Sequence, residues 1–576
     1  MSARPIIVIT GANAGLGFGT AQRLLVQLSH ALPPDTRPDW RLSSSHSSDS
    51  EATPSPFAAP DGCTLVLACR NPKKAHAAKD ELQTLLWHLA RLPETSESLR
   101  DVPSQSCKLD EHQYASGDMS ARGEYSRDEN GNLLKLDHRE PRAAAAYRRR
   151  FCEGTQIEVV ELDLNSMSSA LSCASEVTQR YGYVTHLVLN AGGAAWIGLD
   201  WPLAVWQVLT SLHVAVTLPK YKLQRSGDRS SDGYGWVWQA NVGAHYVVTR
   251  ALLPALRASP FDTPSRVIWT SSIEALERHY EARDPQCLDN QRRHCPYEST
   301  KYQCELASIG LGQRLNASLF DRQDNGLQVH NNGVKPHSPE SFVVHPGVVA
   351  SSIFSEFLNV VLAWCMHAAF YFARWTFSPN HPIQPYKGAV AASHVALAPQ
   401  HLLSPMLRYG SCANFWGQEY VSSGRVDGWS DESVASGLVK KGKEEKEGDM
   451  VRKKADQLIE ALEDITRDVW KKNMKGIPEN LDGTHRERKA DHAREQHDRL
   501  LVSVVTSAID LPHSSEKQDH WENVRCADAS PSCVGKLHHS LQVSGGVLAK
   551  APTGAALASF CPCAVKFERT AVVHRR

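Results

Sequence analysis

The sequence predicts an α/β fold: a doubly wound parallel sheet with helices on both faces. Three observations carry this. Short, wholly apolar runs alternate with segments of helical period through the first 350 residues. A glycine-rich turn joins the first apolar run to the first helix. In a chain of 576 residues, 41% hydrophobic and 22% charged, there is apolar material for a sizeable core.

The elements follow in order. Ile6-Ile7-Val8-Ile9 reads as a buried strand ending at Thr10. Residues 16–28 read as a helix, with Leu16, Ala21, Leu24, Leu25 and Leu28 near helical spacing. Residues 33–61 are rich in Pro, Ser, Asp and Thr and read as a flexible surface insertion. Thr64–Ala68 is a second strand, and a helix is expected after Asn71-Pro72. Residues 92–150 hold no sustained period and read as another insertion. Residues 157–162 and 186–189 are strand-like, with a helix at 166–180 between them. The alternation continues with helices at 240–257 and 297–315 and strands at 266–270 and 341–344. Parallel strands need such crossovers, and their helices cover both faces of the sheet. Past about 430 the character changes. Residues 440–472 form a charged amphipathic helix candidate whose bland reading is a solvated tail, and 480–576 are polar and mixed. The expected organisation is a catalytic domain over 1–430, with insertions at 33–61, 92–150 and 274–296, and a C-terminal extension over 431–576, partly helical and largely disordered.

Lys+Arg and Asp+Glu both number 63, so no global field attracts nucleic acid or anionic membrane. The 14 cysteines are scattered, without a C-x-x-C pair; reduced thiols in a cytosol-facing protein are expected, and no metal site. Only four apolar residues precede Thr10, too few for a secretory signal.

Thr10-Gly11-x-x-x-Gly15-Leu16-Gly17 sits between the first strand and the first helix. Gly11 suits a tight turn, Gly15 lets backbone approach a pyrophosphate, and Gly17 permits close helix–strand packing. The helix N-terminus then offers N–H groups to phosphate. This is a Rossmann-like arrangement. The second strand ends at Arg70, with Lys73 and Lys74 close behind, where selection of NAD places an acidic residue. A guanidinium suits a 2′-phosphate, so NADP(H) is expected over NAD(H).

Tyr297 and Lys301 stand four apart, on one helix face. A free phenol, with a pKa near ~10, is a poor acid at neutral pH unless a cation stabilises its anion. Ser271 and Ser272 end the strand 266–270, where a hydroxyl can hold a carbonyl.

Asp163-Leu164, Asn190-Ala191-Gly192, Asn241, Ser271-Ser272, Tyr297-x-x-x-Lys301 and Pro346-Gly347 follow the glycine turn in one register. With it they resemble the short-chain dehydrogenase/reductase family. The resemblance implies Tyr297 as general acid in reduction and Ser272 as the carbonyl-holding hydroxyl, with Ser271 as its alternative. The gap of 25 residues from Ser272 to Tyr297 is about twice the family's usual spacing. Lys301 would acidify Tyr297 and contact the nicotinamide ribose. Asn241 would support a relay water, and Asp163 would contact adenine. Asn190, Leu16, Val349 and Ser351 would line the cofactor cleft. A narrower resemblance, to the fungal 3-keto-steroid reductases of ergosterol biosynthesis, rests on Leu67–Asn71, Gly198–Trp201, Tyr221–Gln224 with Asp232–Asn241, and Trp416–Tyr420. It implies NADPH-dependent reduction of a sterol C3 ketone in C-4 demethylation, in an assembly with other enzymes of that sequence. It also implies peripheral or monotopic association with the endoplasmic reticulum membrane or lipid droplets. The apolar run 357–373 could be a buried lid, an interfacial helix or a membrane span. The rival readings are a reductase of retinal or another lipophilic carbonyl, and a non-catalytic dinucleotide-binding scaffold.

Overall fold

The computed structural model describes residues 3–38, 54–92, 142–289, 295–324, 338–350, 360–429 and 441–473, with two short strands at 125–127 and 133–135. All but a small part of this is one sheet and its covering helices. The strands are β1 Ile6–Thr10, β2 Thr64–Cys69, β3 Tyr125–Arg127, β4 Leu133–Lys135, β5 Gln156–Glu161, β6 His186–Leu189, β7 Trp196–Leu199, β8 Lys222–Gln224, β9 Arg266–Thr270, β10 Glu340–His345, β11 Arg408–Ala413 and β12 Glu419–Gly424. The main sheet has eight strands in the order β12-β11-β10-β9-β6-β1-β2-β5. Every pair is parallel except β11–β12. The central strands β1, β2, β6 and β9 are buried at every position, which is why they read as unbroken apolar runs. Strand order reverses between β1 and β6, and the crevice at their carboxyl ends is where such sheets bind ligands.

The helices are α1 Gly15–Leu28, α2 Pro72–Arg91, α3 Arg142–Gly154, α4 Met167–Tyr181, α5 Trp201–Thr217, α6 Ala244–Arg257, α7 Pro296–Asp324, α8 Val360–Trp375, α9 Val390–Leu397 and α10 Lys441–Asn473. A short turn Trp236–Trp238 and a π-turn Gln239–Gly243 lead into α6. Two apolar clusters result. One joins β6 and β9 to α4, α6, α7 and α10; the other joins β1, β2 and β10 to α1, α2 and α9.

Four expectations change. The stretch 92–150 ends in ordered structure: in α3, Phe151 is buried, and the Arg148 guanidinium donates to the Leu89 and Leu92 carbonyls at the end of α2. The insertion at 33–61 is anchored at both described ends. Asp35 pairs with Arg23, and Phe57 is fully buried edge-on to His186; residues 39–53 lie outside the described part. The segment 274–289 is stitched in through Gln286 to the Gly235 N–H and Asp427 to the Glu277 N–H.

The fourth is α10, which is no solvated tail. Val451, Ala455, Leu458, Ile459, Leu462, Val469 and Trp470 are buried within the first cluster. Glu463 accepts from the Tyr246 hydroxyl and the Arg250 guanidinium, both at 2.5 Å. A Cβ at Gly310 of α7 would lie 2.6 Å from Ile459, so the absent side chain is what lets α10 settle there. A division at residue 430 therefore cuts through packed core; residues 480–576 lie outside the described part.

Candidate active site

The glycine turn is built as its spacing requires. Gly11 and Gly15 have φ of +68° and +54°. A Cβ at Gly17 would lie 2.4 Å from the Gly11 carbonyl oxygen and 2.5 Å from the Asn190 amide. The Thr10 hydroxyl accepts the N–H groups of Asn190 and Ala191, each at 2.9 Å, and the Asn190 side chain donates to the Thr10 carbonyl. His245 fixes this arrangement from below. Its Nδ1 lies 3.0 Å from the Asn241 carbonyl, so that nitrogen carries the proton and Nε2 accepts from Thr10 at 3.0 Å. Burial pushes this imidazole down to about 4, keeping it neutral.

No side chain caps the N-terminus of α1, so its first-turn N–H groups face the crevice. Leu16, Val349 and Gly388 converge beside it: a Cβ at Gly388 would lie 2.5 Å from Val349 Cγ2 and 3.5 Å from Leu16 Cδ1. Arg70, Lys73 and Lys74 are exposed just past β2, whose last residue, Cys69, touches the backbone of Ala12 and Asn13. These are the features that a dinucleotide with a 2′-phosphate needs: a cradle closed to side chains and cations at the rim. Asp163 is half-buried, and its carboxylate accepts from the N–H and side chain of Asn165. Ser351 lies outside the described residues.

Opposite the glycine turn, the carboxyl end of β9 and the start of α7 bring three expected residues together. The Ser272 hydroxyl stands beside that of Tyr297, near enough to favour its ionisation. Lys301 Nζ lies 5.8 Å from the Tyr297 ring centroid and donates to the Thr270 carbonyl at 2.9 Å. A Cβ on Gly192 would stand 3.6 Å from that ammonium, so Lys301 borders the loop after β6.

Three expectations need correction. Ser271 points inward, donating to Glu305 at 2.6 Å and to the Lys301 carbonyl, and Glu305 is itself buried and paired with Arg408; adjacent strand residues face opposite sides. Ser272 alone has its hydroxyl at the phenol. Asn241 commits its amide elsewhere: Oδ1 accepts from Gly193 N at 2.8 Å, and Nδ2 donates to the Gly193 carbonyl and the Thr300 hydroxyl. Its main-chain carbonyl meets His245 and Cys304. Asn241 thus ties the loop after β6 to α7 rather than presenting a site for a relay water.

The third concerns Lys301 and Tyr297. Burial, then the Glu274 carboxylate, hold the phenol above its ordinary value, opposed by Lys222 and the Ser272 hydroxyl. Burial lowers the Lys301 ammonium. Tyr297 therefore rests protonated, the form an acid catalyst must start from.

Four residues here escaped sequence reading. The Trp196 ring lies 5.7 Å from that of Tyr297. Lys222 on β8 sits over both rings and pairs with Glu274 and Glu298. Glu298 adjoins Tyr297 in sequence, which was a usable hint; Lys222 and Glu274 lie in segments too short to show a period.

No family model matches the chain. It is 33% identical over 274 residues to the 3-keto-steroid reductase of Kluyveromyces lactis, covering 47% of this chain and 72% of that protein. It is 33% identical over 267 residues to that of Eremothecium gossypii, covering 46% and 69%. Against that of Aspergillus fumigatus it is 28% identical over 377 residues, covering 60% and 82%. Among solved structures it is similar to a short-chain type dehydrogenase/reductase from Mycobacterium ulcerans, with TM-score 0.36, 12% identity and 73% and 91% of the two chains covered. It is also similar to salutaridine reductase from Papaver somniferum, with TM-score 0.32, 14% identity and 69% and 96% covered.

Proposed function

This chain belongs to the 3-keto-steroid reductases, within the short-chain dehydrogenases/reductases, and we propose that it reduces the C3 ketone of a sterol intermediate to the 3β-hydroxyl with NADPH. The place of this reaction is sterol C-4 demethylation. The observation that carries the reading is the meeting of Ser272, Tyr297 and Lys301 at the carboxyl end of β9, across the crevice from the glycine turn.

Bound NADPH supplies the hydride. The α1 N-terminus, Gly15, Gly17 and Asn190 would shape its pyrophosphate cradle, Arg70 and Lys73 would hold its 2′-phosphate, and Lys301 would border the ribose. Ser272 donates a hydrogen bond to the ketone oxygen, polarising the carbonyl. Tyr297 gives its phenolic proton to that oxygen as negative charge gathers there, so C=O becomes CH–OH and Tyr297 is left as phenolate. The phenolate regains a proton before the next turnover. Trp196 packs its ring beside that of Tyr297.

The substrate class also accounts for an apolar surface. Trp201, Val205, Trp206 and Leu209 on α5 are exposed, as are Trp364, Phe372 and Trp375 on α8 and Phe377 after it. The two helices pack together, and His213 of α5 bonds Thr376. Among the described residues no helix is long and apolar enough to cross a membrane. Phe370 and Ala373 of α8 are buried while its tryptophans face out, the pattern of an interfacial helix rather than a buried lid. A monotopic contact with the endoplasmic reticulum or lipid droplets, on the cytosolic face, would give sterols a short path to Tyr297. Such a location also suits contact with the other C-4 demethylation enzymes.

The test incubates purified protein with NADPH or NADH and a panel of 3-keto sterols, retinal and simple ketones, following loss of reduced-nicotinamide absorbance. Turnover of 3-keto sterols with NADPH preferred is expected. Tyr297→Phe should lose at least about a hundredfold in kcat while still binding NADPH. Near-normal rates in that variant, or equal use of NADH, would refute the corresponding assignment.

A further inference from the structure

Lys222 is a buried ammonium held by two carboxylates. Its Nζ lies 2.7 Å from both oxygens of Glu274 and 2.9 Å from Glu298. The three come from β8, the segment after β9 and the start of α7, and their side chains are 4%, 14% and 7% exposed. One cation faces two carboxyl groups in a poorly hydrated place, where burial raises the Glu274 carboxyl above its ordinary value and Lys222 holds Glu298 ionised. That is costly unless something uses it, since each buried ion carries several kcal/mol of desolvation. A plain tether between β8 and α7 would need one carboxylate.

What lies against this cluster is the Tyr297 ring. Lys222 Nζ is 5.6 Å from the Tyr297 ring centroid and 5.1 Å from that of Trp196, the two rings lying 5.7 Å from each other. The Glu274 N–H donates to Ser272 Oγ, so the same residue also holds the serine. Gln224 donates to Glu298 and accepts from the Tyr297 N–H, fixing the top of α7 to β8. Lys301, by contrast, spends a hydrogen bond on the Thr270 carbonyl.

We propose that Lys222, Glu274 and Glu298 form a charge cluster that positions and controls the proton of Tyr297, Lys222 favouring its release and Glu274 its retention. The inference rests on Tyr297 being the general acid of the proposed reduction. In reduction Glu274 keeps the hydroxyl protonated until the alkoxide forms, and Lys222 then stabilises the phenolate left behind. Ser272 and Lys301 on α7 also stand beside Tyr297, and His279 and Cys295 flank the cluster. Burial holds His279 below the ordinary histidine value, so it is neutral above pH 7 and does not contribute there.

The test uses the reverse reaction, oxidation of a 3β-hydroxysterol with NADP⁺, which needs the phenolate. kcat/KM is followed from pH 7 to 10 in the wild type, Glu274→Gln, Lys222→Met and Lys222→Arg. Removing the anion favours phenolate, so Glu274→Gln should displace the alkaline rise to lower pH and raise oxidation at pH 8 by about tenfold per pH unit of displacement. Lys222→Met should move it the other way, and Lys222→Arg should restore much of the loss. A tether alone predicts loss of folded protein or of rate in both variants, with the rise undisplaced. That result, in variants shown folded by circular dichroism, overturns the inference. If Lys222→Met does not fold, Glu274→Gln decides by itself. If the wild type oxidises no hydroxysterol, the functional reading has failed instead. The cluster is then tested by ultraviolet difference titration of the NADP⁺ complex against Tyr297→Phe. There a lowered phenol titration in Glu274→Gln sustains the inference and an unmoved one ends it.

Discussion

Ser271 and Ser272 differ by one position and do different work. Ser272 meets the Tyr297 hydroxyl; Ser271 satisfies the buried Glu305, which Arg408 also holds. Ser272→Ala therefore removes a donor aimed at developing charge and should cost about 10²–10³ in kcat. Ser271→Ala strips one hydrogen bond from a buried carboxylate. It should cost about 1–3 kcal/mol of stability and less than about tenfold in kcat. Steady-state assays and thermal melts on the two variants separate these outcomes, and equal kinetic losses would contradict the assignment. Asn241 makes the same point. Its motif position was legible, but only the structure shows its amide spent on Gly193 and Thr300.

The elements around Tyr297 and along the exposed apolar surface are those with the least periodic signal. β7 and β8 are four and three residues long, and α5, between them, is apolar on its exposed side. A helix exposing Trp201, Trp206 and Leu209 beside another exposing Trp364 and Trp375 presents aromatic rings suited to a headgroup layer. Flotation of the chain with phospholipid vesicles should fall several-fold when Trp206, Leu209 and Trp364 are changed together to Ser. Reduction of a detergent-dispersed ketosteroid should change little. Undiminished flotation would overturn the proposed membrane contact through α5 and α8. At the far end, α10 shows how a charged sequence can belong to a core. Lys453, Asp456, Glu460, Asp464 and Asp468 are exposed while Leu458, Ile459 and Leu462 close over α7.

Across the whole molecule, neutral buried histidines tie stability to pH. Burial pushes His186 and His345 down to about 3 and His245 to about 4. An unfolded chain protonates these rings near pH 6.5 and the folded chain resists. Their contribution is therefore fully present above about 6.5 and is lost as pH falls towards 4. For His245 alone the loss reaches roughly 3 kcal/mol by pH 4. Its protonation would also break the Thr10 bond that seats Asn190 and Ala191, because Nε2 could no longer accept. NMR of the imidazoles should show His245 neutral at pH 5, and the acid side of a Tm–pH profile should decline from 6.5 downward. A His245 ring that titrates near 6.5 would contradict both.

The amino-acid sequence by itself determined the central sheet, the glycine turn and the Tyr297–Lys301 pair. Each is written in residues close together: a run buried on both faces, a turn that tolerates no Cβ, two side chains one helical turn apart. Tertiary structure decided which serine faces the phenol, that Arg148 and Phe57 anchor what composition marks as loops, and that α10 completes the core. It also decided that Lys222, Glu274 and Glu298 meet. Those outcomes depend on contacts between segments tens to hundreds of residues apart, and on burial, which sets the sign of a charge's effect. Neither leaves a local pattern for periodicity to report.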